Sequence, residues 1–170
     1  YNQCKPNDVV WNQNYGHIGT GLPYATGAML ADAAETGVQR PGMLVTSDSS
    51  FLFHIAELEV AVRRNLPLVC VVAVDNQWGL EVGVYKRTFG PGTAETGTHW
   101  SDKVRMDKIA EGLGAYGEYV TKAADIGPAI ARCYAKGGPA VVHVVIDPKA
   151  NSEEMPKYDK FRTWYAEGTQ

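Results

Sequence analysis

The feature that most constrains this chain is an unbroken apolar run, Leu68 to Val74, rich in β-branched valine. A strand without polar alternation is buried on both faces, and that is the situation of an interior strand in a parallel sheet. Val141 to Ile146, interrupted only by His143 and stopped at Asp147-Pro148, repeats the pattern. Gly42 to Asp48 reads as a further strand that runs out into polar residues. Between the first two strands in chain order, Phe51 to Asn65 predicts one helix. Leu52, Ile55, Leu58 and Val62 form its apolar stripe, and Glu57, Arg63 and Arg64 lie off it. Leu22 to Ala34, Met106 to Leu113 and Asp125 to Lys136 read as helices, the last with Asp125 as N-cap, and Gly117 to Val120 as a short strand. Alternating strands and helices predict an α/β fold: an open, mostly parallel sheet with helices on both faces. Residues 79–103, rich in Gly and Thr, show no periodicity and predict a long loop that closes over ligands.

Composition narrows the function. The chain has 170 residues and net charge −3, with 16 basic and 19 acidic side chains intermingled. That is no footprint for nucleic acid, and no apolar run is long enough to cross a bilayer. Cys4, Cys70 and Cys133 are widely spaced and suggest reduced thiols in a cytoplasmic protein, with Cys70 in the core. The histidines have no zinc spacing. His54 reads as a packed structural residue, and His99 and His143 have no partner visible in the sequence. The chain begins at Tyr1, and the expectation is a piece of a longer protein, with a processed or cloned natural subunit as the competing account.

The chemistry gathers at two strand ends: Ser47-Asp48-Ser49-Ser50 and Asp75-Asn76-Gln77-Trp78-Gly79. The helix between them makes a βαβ unit, so both strand ends face the edge where open α/β sheets bind ligands. Asp48 and Asn76 should approach each other there, offering a carboxylate and an amide oxygen. That pair suits magnesium, a hard cation that shares phosphate oxygens with a bound nucleotide or diphosphate. Ser49 and Ser50 open the following helix, whose N–H groups favour an anion.

These residues resemble the Gly-Asp-Gly-Ser … Asn-Asn signature of thiamine-diphosphate enzymes, with serines at Ser47 and Ser49 and an aspartate at Asp75 in place of the family's residues. The resemblance implies Mg²⁺ ligation by Asp48, Asn76 and the carbonyl of Trp78, with Ser47, Ser49, Ser50, Trp78 and Gly79 around the cofactor. Tyr15 to Pro23 is similar to a second segment of the family. There the carbonyl of a glycine, here Gly16, accepts from the cofactor's pyrimidine amino group, and a bulky residue, here Ile18, props its bent conformation. His17 either lines that pocket or supports the turn. Phe51 to Pro67 and Pro139 to Pro148 are similar to acetolactate synthases, benzaldehyde-lyase-like enzymes and 2-hydroxyacyl-CoA lyases.

The resemblance implies a diphosphate-binding domain over residues 1–150, followed by an aromatic and charged tail over 151–170 that packs on a neighbouring surface. It implies thiamine diphosphate and Mg²⁺ as cofactors and chemistry that makes or breaks a C–C bond beside a carbonyl, on a 2-oxo acid or 2-hydroxyacyl substrate. The glutamate that activates the cofactor belongs, in the family, to a pyrimidine-binding domain of the same or another subunit, so a homo-oligomer, dimer or tetramer, is expected. No catalytic residue is assigned outright in this chain; His17 and Glu81 are the candidates. Two alternatives stand beside this reading: a natural small subunit of a two-chain decarboxylase of the sulfopyruvate type, and a non-catalytic nucleotide-binding relative.

Overall fold

The computed structural model describes residues 9–10, 16–90, 92 and 97–148. Four strands, β1 (Gly42–Ser47), β2 (Leu68–Val74), β3 (Tyr116–Val120) and β4 (Ala140–Val145), form one sheet in the order β1-β2-β4-β3. Every pairing is parallel. The two continuous apolar runs occupy the two central positions, as their lack of alternation requires. Leu68, Val69, Cys70, Val72 and Val74 of β2 are buried, as are Ala140, Val141, Val142 and Val144 of β4. Burial of adjacent residues means that both faces of the sheet's centre are covered. β1 lies at an edge and alternates instead, with Met43 and Val45 exposed. The open parallel α/β sheet is the expected fold class.

Helix α1 (Gly21–Thr36) precedes β1 and ends at Gly37, whose left-handed backbone lets its N–H donate to the Ala33 carbonyl. The continuous helix expected over Phe51 to Asn65 is instead broken. α2 (Asp48–Phe53) stops at His54, a 3₁₀ turn spans Ile55–Glu57, and α3 (Leu58–Arg63) resumes. The break changes the buried face: Phe51, Leu58 and Ala61 are inside, whereas Leu52, Ile55 and Val62 of the expected stripe are only half-buried. Residues 79–103 are not loop throughout, since α4 (Gly79–Phe89) occupies the first part. α5 (Met106–Gly112) and α6 (Ile126–Ala135) fall where periodicity placed them. Asp125 holds the N-cap position of α6 but its side chain makes no capping bond; a 3₁₀ turn, Ala123–Asp125, leads in.

Within their described residues, Tyr1–Val74 and Arg105–Val145 make one compact unit, and Asp75–Val104 with Ile146–Gln170 a second. The sheet, α1–α3, α5 and α6 belong to the first, and α4 to the second. The tail over 151–170 lies outside the described residues.

Candidate functional site

In the first unit, β1 delivers Asp48 directly into α2. Its side chain is fully buried, and Oδ1 accepts the Ser49 backbone N–H at 2.8 Å. Burying a carboxylate is costly unless charge or hydrogen bonds compensate it, and the Ser49 N–H supplies one such bond. Ser47 and Ser49 approach each other through their hydroxyls, 3.2 Å apart, on the same side of that turn. Ser50 follows, half-buried.

Gly16 to Thr20 form the turn into α1. Gly16 (φ +56°) and Gly19 (φ +97°) are both left-handed, and Thr20 Oγ1 donates to the His17 carbonyl at 3.2 Å. Gly19 is also pressed against α2: a Cβ there would lie 2.5 Å from His54 Nδ1 and 2.6 Å from Phe53 Cβ, so no side chain fits. At Gly16 a Cβ would meet nothing within 4 Å among the described residues. His17 is exposed, its ring 6.4 Å from that of His54, and Ile18 is partly exposed. His54 is half-buried against this turn, in keeping with a packing role. Just beyond, α1 carries an apolar hollow of about 390 Å³ lined by Pro23, Tyr24, Gly27, Ala28 and Ala31.

The second unit holds Asn76, Trp78, Gly79 and Glu81. Asn76 is left-handed (φ +57°), a conformation that few residues other than glycine adopt and that Asn tolerates best. The Trp78 carbonyl accepts the Val82 N–H at 2.9 Å, starting α4; a carbonyl has a second lone pair for another partner. Glu81 lies in the first turn of α4, half-buried. The Asn76 amide and the Trp78 carbonyl of this unit, like the Asp48 carboxylate of the first, are oxygen donors of the kind a hard divalent cation takes. Among the described residues no three of His, Cys, Asp and Glu cluster as a zinc site needs.

Sequence reasoning missed how this segment is held. Gln77 and His99 form an isolated antiparallel bridge, flanked by Trp78 N–H to Thr98 O (2.8 Å) and Trp100 N–H to Asn76 O (3.0 Å). His99, without a visible partner in the sequence, therefore has one: its Nε2 lies 3.0 Å from Gln77 Oε1. His143 has one too, since its Nδ1 accepts the Met106 N–H at the start of α5, 3.2 Å away. Beside it, Arg105 makes a two-pronged bond to the Asp107 carboxylate and stacks over the Tyr119 ring at 3.8 Å. Burial pushes the Asp107 carboxyl up, but the Arg105 bonds and charge prevail and hold it below the usual range. Burial holds the His143 imidazole below its ordinary value, the Asp107 charge opposing and the Arg105 charge assisting.

A sequence profile described as "Thiamine pyrophosphate enzyme, C-terminal TPP binding domain" matches residues 1–144. A probable acetolactate synthase of Mycobacterium bovis is 34% identical over 142 residues, which is 79% of this chain and 23% of that protein. The 2-hydroxyacyl-CoA lyase of Arabidopsis thaliana is 32% identical over 155 residues, 89% of this chain and 26% of that protein. Among solved structures, a thiamine diphosphate-dependent 4-hydroxybenzoylformate decarboxylase of Rhodococcus jostii superposes with a TM-score of 0.66 at 26% identity, covering 78% of this chain and 24% of that one. The chain spans about a quarter of the length of these relatives.

Proposed function

The chain belongs to the thiamine pyrophosphate enzymes, as their C-terminal cofactor-binding domain, and from that premise we propose that it holds the cofactor's diphosphate through Mg²⁺ bound by Asp48, Asn76 and the Trp78 carbonyl. The observation that carries this is the buried Asp48 carboxylate at the tip of β1. β1 and β2 lie side by side with Ser47 opposite Ala73, and the chain runs from Val74 straight into Asp75 and Asn76. Both donor-bearing segments thus leave neighbouring strands at the same end of the sheet, which supports a shared ion.

Ser47, Ser49 and Ser50 offer hydroxyl and backbone donors to phosphate oxygens, and Gly79 opens α4 on the other segment. Gly16 offers its carbonyl to the cofactor, with Ile18 as the prop and His17 at the rim. Thiamine diphosphate supplies, when bound, a carbon nucleophile and an electron sink for bond-making and bond-breaking beside a carbonyl. The tasks of this chain are to neutralise and orient the diphosphate and to fix the cofactor's position. His17 and Glu81 are the side chains proposed to meet a substrate proton. The substrate class that follows is a 2-oxo acid or a 2-hydroxyacyl compound, handled by a cytoplasmic enzyme.

The rest of the site belongs to a pyrimidine-binding domain, from the same chain or another subunit of a homo-oligomer, dimer or tetramer. The exposed apolar hollow on α1 supports a further domain packing there. Calorimetric titration with thiamine diphosphate, with and without Mg²⁺, tests the assignment. Asp48→Ala should abolish the magnesium-dependent part of the affinity; equal binding by both proteins rejects it.

A further inference from the structure

Resting on the reading that Asn76 and Trp78 hold the cation, we infer that His99 is a positioning residue, which acts through Gln77 to lock the metal-binding turn in its ligating conformation. Every observation lies within the second unit. The turn Asp75–Trp78 carries a left-handed residue at Asn76, and such a backbone persists where its surroundings fix it. Here the segment Thr98–Trp100 fixes it from outside. The peptide groups on either side of Gln77 are both tied: Trp100 N–H to the Asn76 carbonyl and Trp78 N–H to Thr98. The Trp78 and Trp100 rings meet edge to face, 6.2 Å apart at 82°.

The side chains add a direction to the clasp. Gln77 Nε2 donates to Asp75 Oδ2 at 3.1 Å, so its amide is oriented with Oε1 as acceptor. His99 Nε2 then donates to that oxygen, and its Nδ1 lies 3.2 Å from the Thr98 hydroxyl. A single chain of hydrogen bonds, Thr98 to His99 to Gln77 to Asp75, thereby spans the turn. Gly79 leaves it space, since a Cβ there would stand 3.3 Å from Asp75 Oδ2 and 3.6 Å from Gln77 Nε2. His99 is tied to the proposed ligands through their neighbour in the chain. It holds Gln77, which sits between the two residues that offer ligands, so its effect reaches the ion as an outer-shell partner orients a ligand.

The test uses the protein as its gene encodes it. Wild type, His99→Phe, His99→Gln, Gln77→Leu and the Phe/Leu double variant are titrated with thiamine diphosphate in Mg²⁺ by calorimetry. Near-ultraviolet circular dichroism of the cofactor-free proteins follows the Trp78–Trp100 pair. His99→Phe and Gln77→Leu should each weaken magnesium-dependent binding by about tenfold or more and diminish the tryptophan signal. The double variant should be no weaker than the worse single one, because both break the same link. His99→Gln, whose amide nitrogen can still donate to Gln77, should recover both readouts, and it carries the test if His99→Phe fails to fold. Wild-type affinity in a folded His99→Phe protein overturns the inference, whether or not the tryptophan signal changes. Undiminished binding by Asp48→Ala refutes the cation assignment itself, and with it the inference, a failure distinguishable because it does not involve His99.

Discussion

His143 sits in the middle of a central strand with its ring nitrogen committed to the Met106 backbone N–H, so the folded chain holds it neutral. The unfolded chain protonates it near 6.5, and the folded value lies lower. Stability from this group is therefore fully present above pH 6.5 and drains as pH falls below it towards the folded value, by at most about 1.4 kcal/mol per pH unit for one proton. The depressed Asp107 carboxyl behaves likewise but in a more acid window, its contribution persisting until pH falls below 3.8. Urea unfolding at pH 7.5 and 5.5 should show the loss, and His143→Asn, whose amide oxygen can accept the same N–H without titrating, should flatten it. Gly19 and Gly16 give a second contrast at this scale. Gly16→Ala must tolerate a left-handed backbone and should cost about 1–2 kcal/mol. Gly19→Ala must also displace His54 and Phe53 and should cost roughly 1–3 kcal/mol more, measured by the same unfolding. The place of Asp48 at the end of β1 was legible in the sequence because the apolar run stops there in polar residues. His143 and His99 were not, because their partners are a backbone N–H and an amide far along the chain.

At the scale of elements, the strands declared themselves through burial on both faces, a property that the composition of a short run carries by itself. The helix after Asp48 did not, because three turns of apolar spacing are compatible with either a smooth helix or one broken at His54. The break has an energetic signature. Leu58 is fully buried, and Leu58→Ala should destabilise by about 2–5 kcal/mol. Phe53, although larger, faces outward, and Phe53→Ala should change stability by no more than about 0.5 kcal/mol in chemical denaturation. Comparable losses for both would restore the single continuous helix. α4 was hidden for another reason: Gly79, Gly83 and Thr88 are poor helix formers, and the segment has no apolar stripe to advertise a buried face. The bridge from Gln77 to His99 has no periodic signal at all, so only the folded chain reveals it.

At the largest scale, the core of the first unit seals two thiols. Burial pushes the Cys70 thiol up to about 12 and the Cys133 thiol up to about 11. In a Cys4→Ser background both should resist a thiol reagent in the native protein and react at the rate of global unfolding. Rapid labelling without denaturant would show that the sheet opens locally. The order of the strands carries one more consequence. Among the described residues β4 is the last strand, yet it lies between β2 and β3 and is the sole neighbour of β3. On a ribosome the nascent polypeptide must therefore wait with β3 unzipped and one flank of β2 bare until residue 145 has emerged from the exit tunnel. A stalled or truncated product ending at Pro139 lacks every backbone bond that ties β3 to the sheet and keeps only α6 reaching both β2 and β3, a substrate for chaperones rather than a smaller version of the same domain.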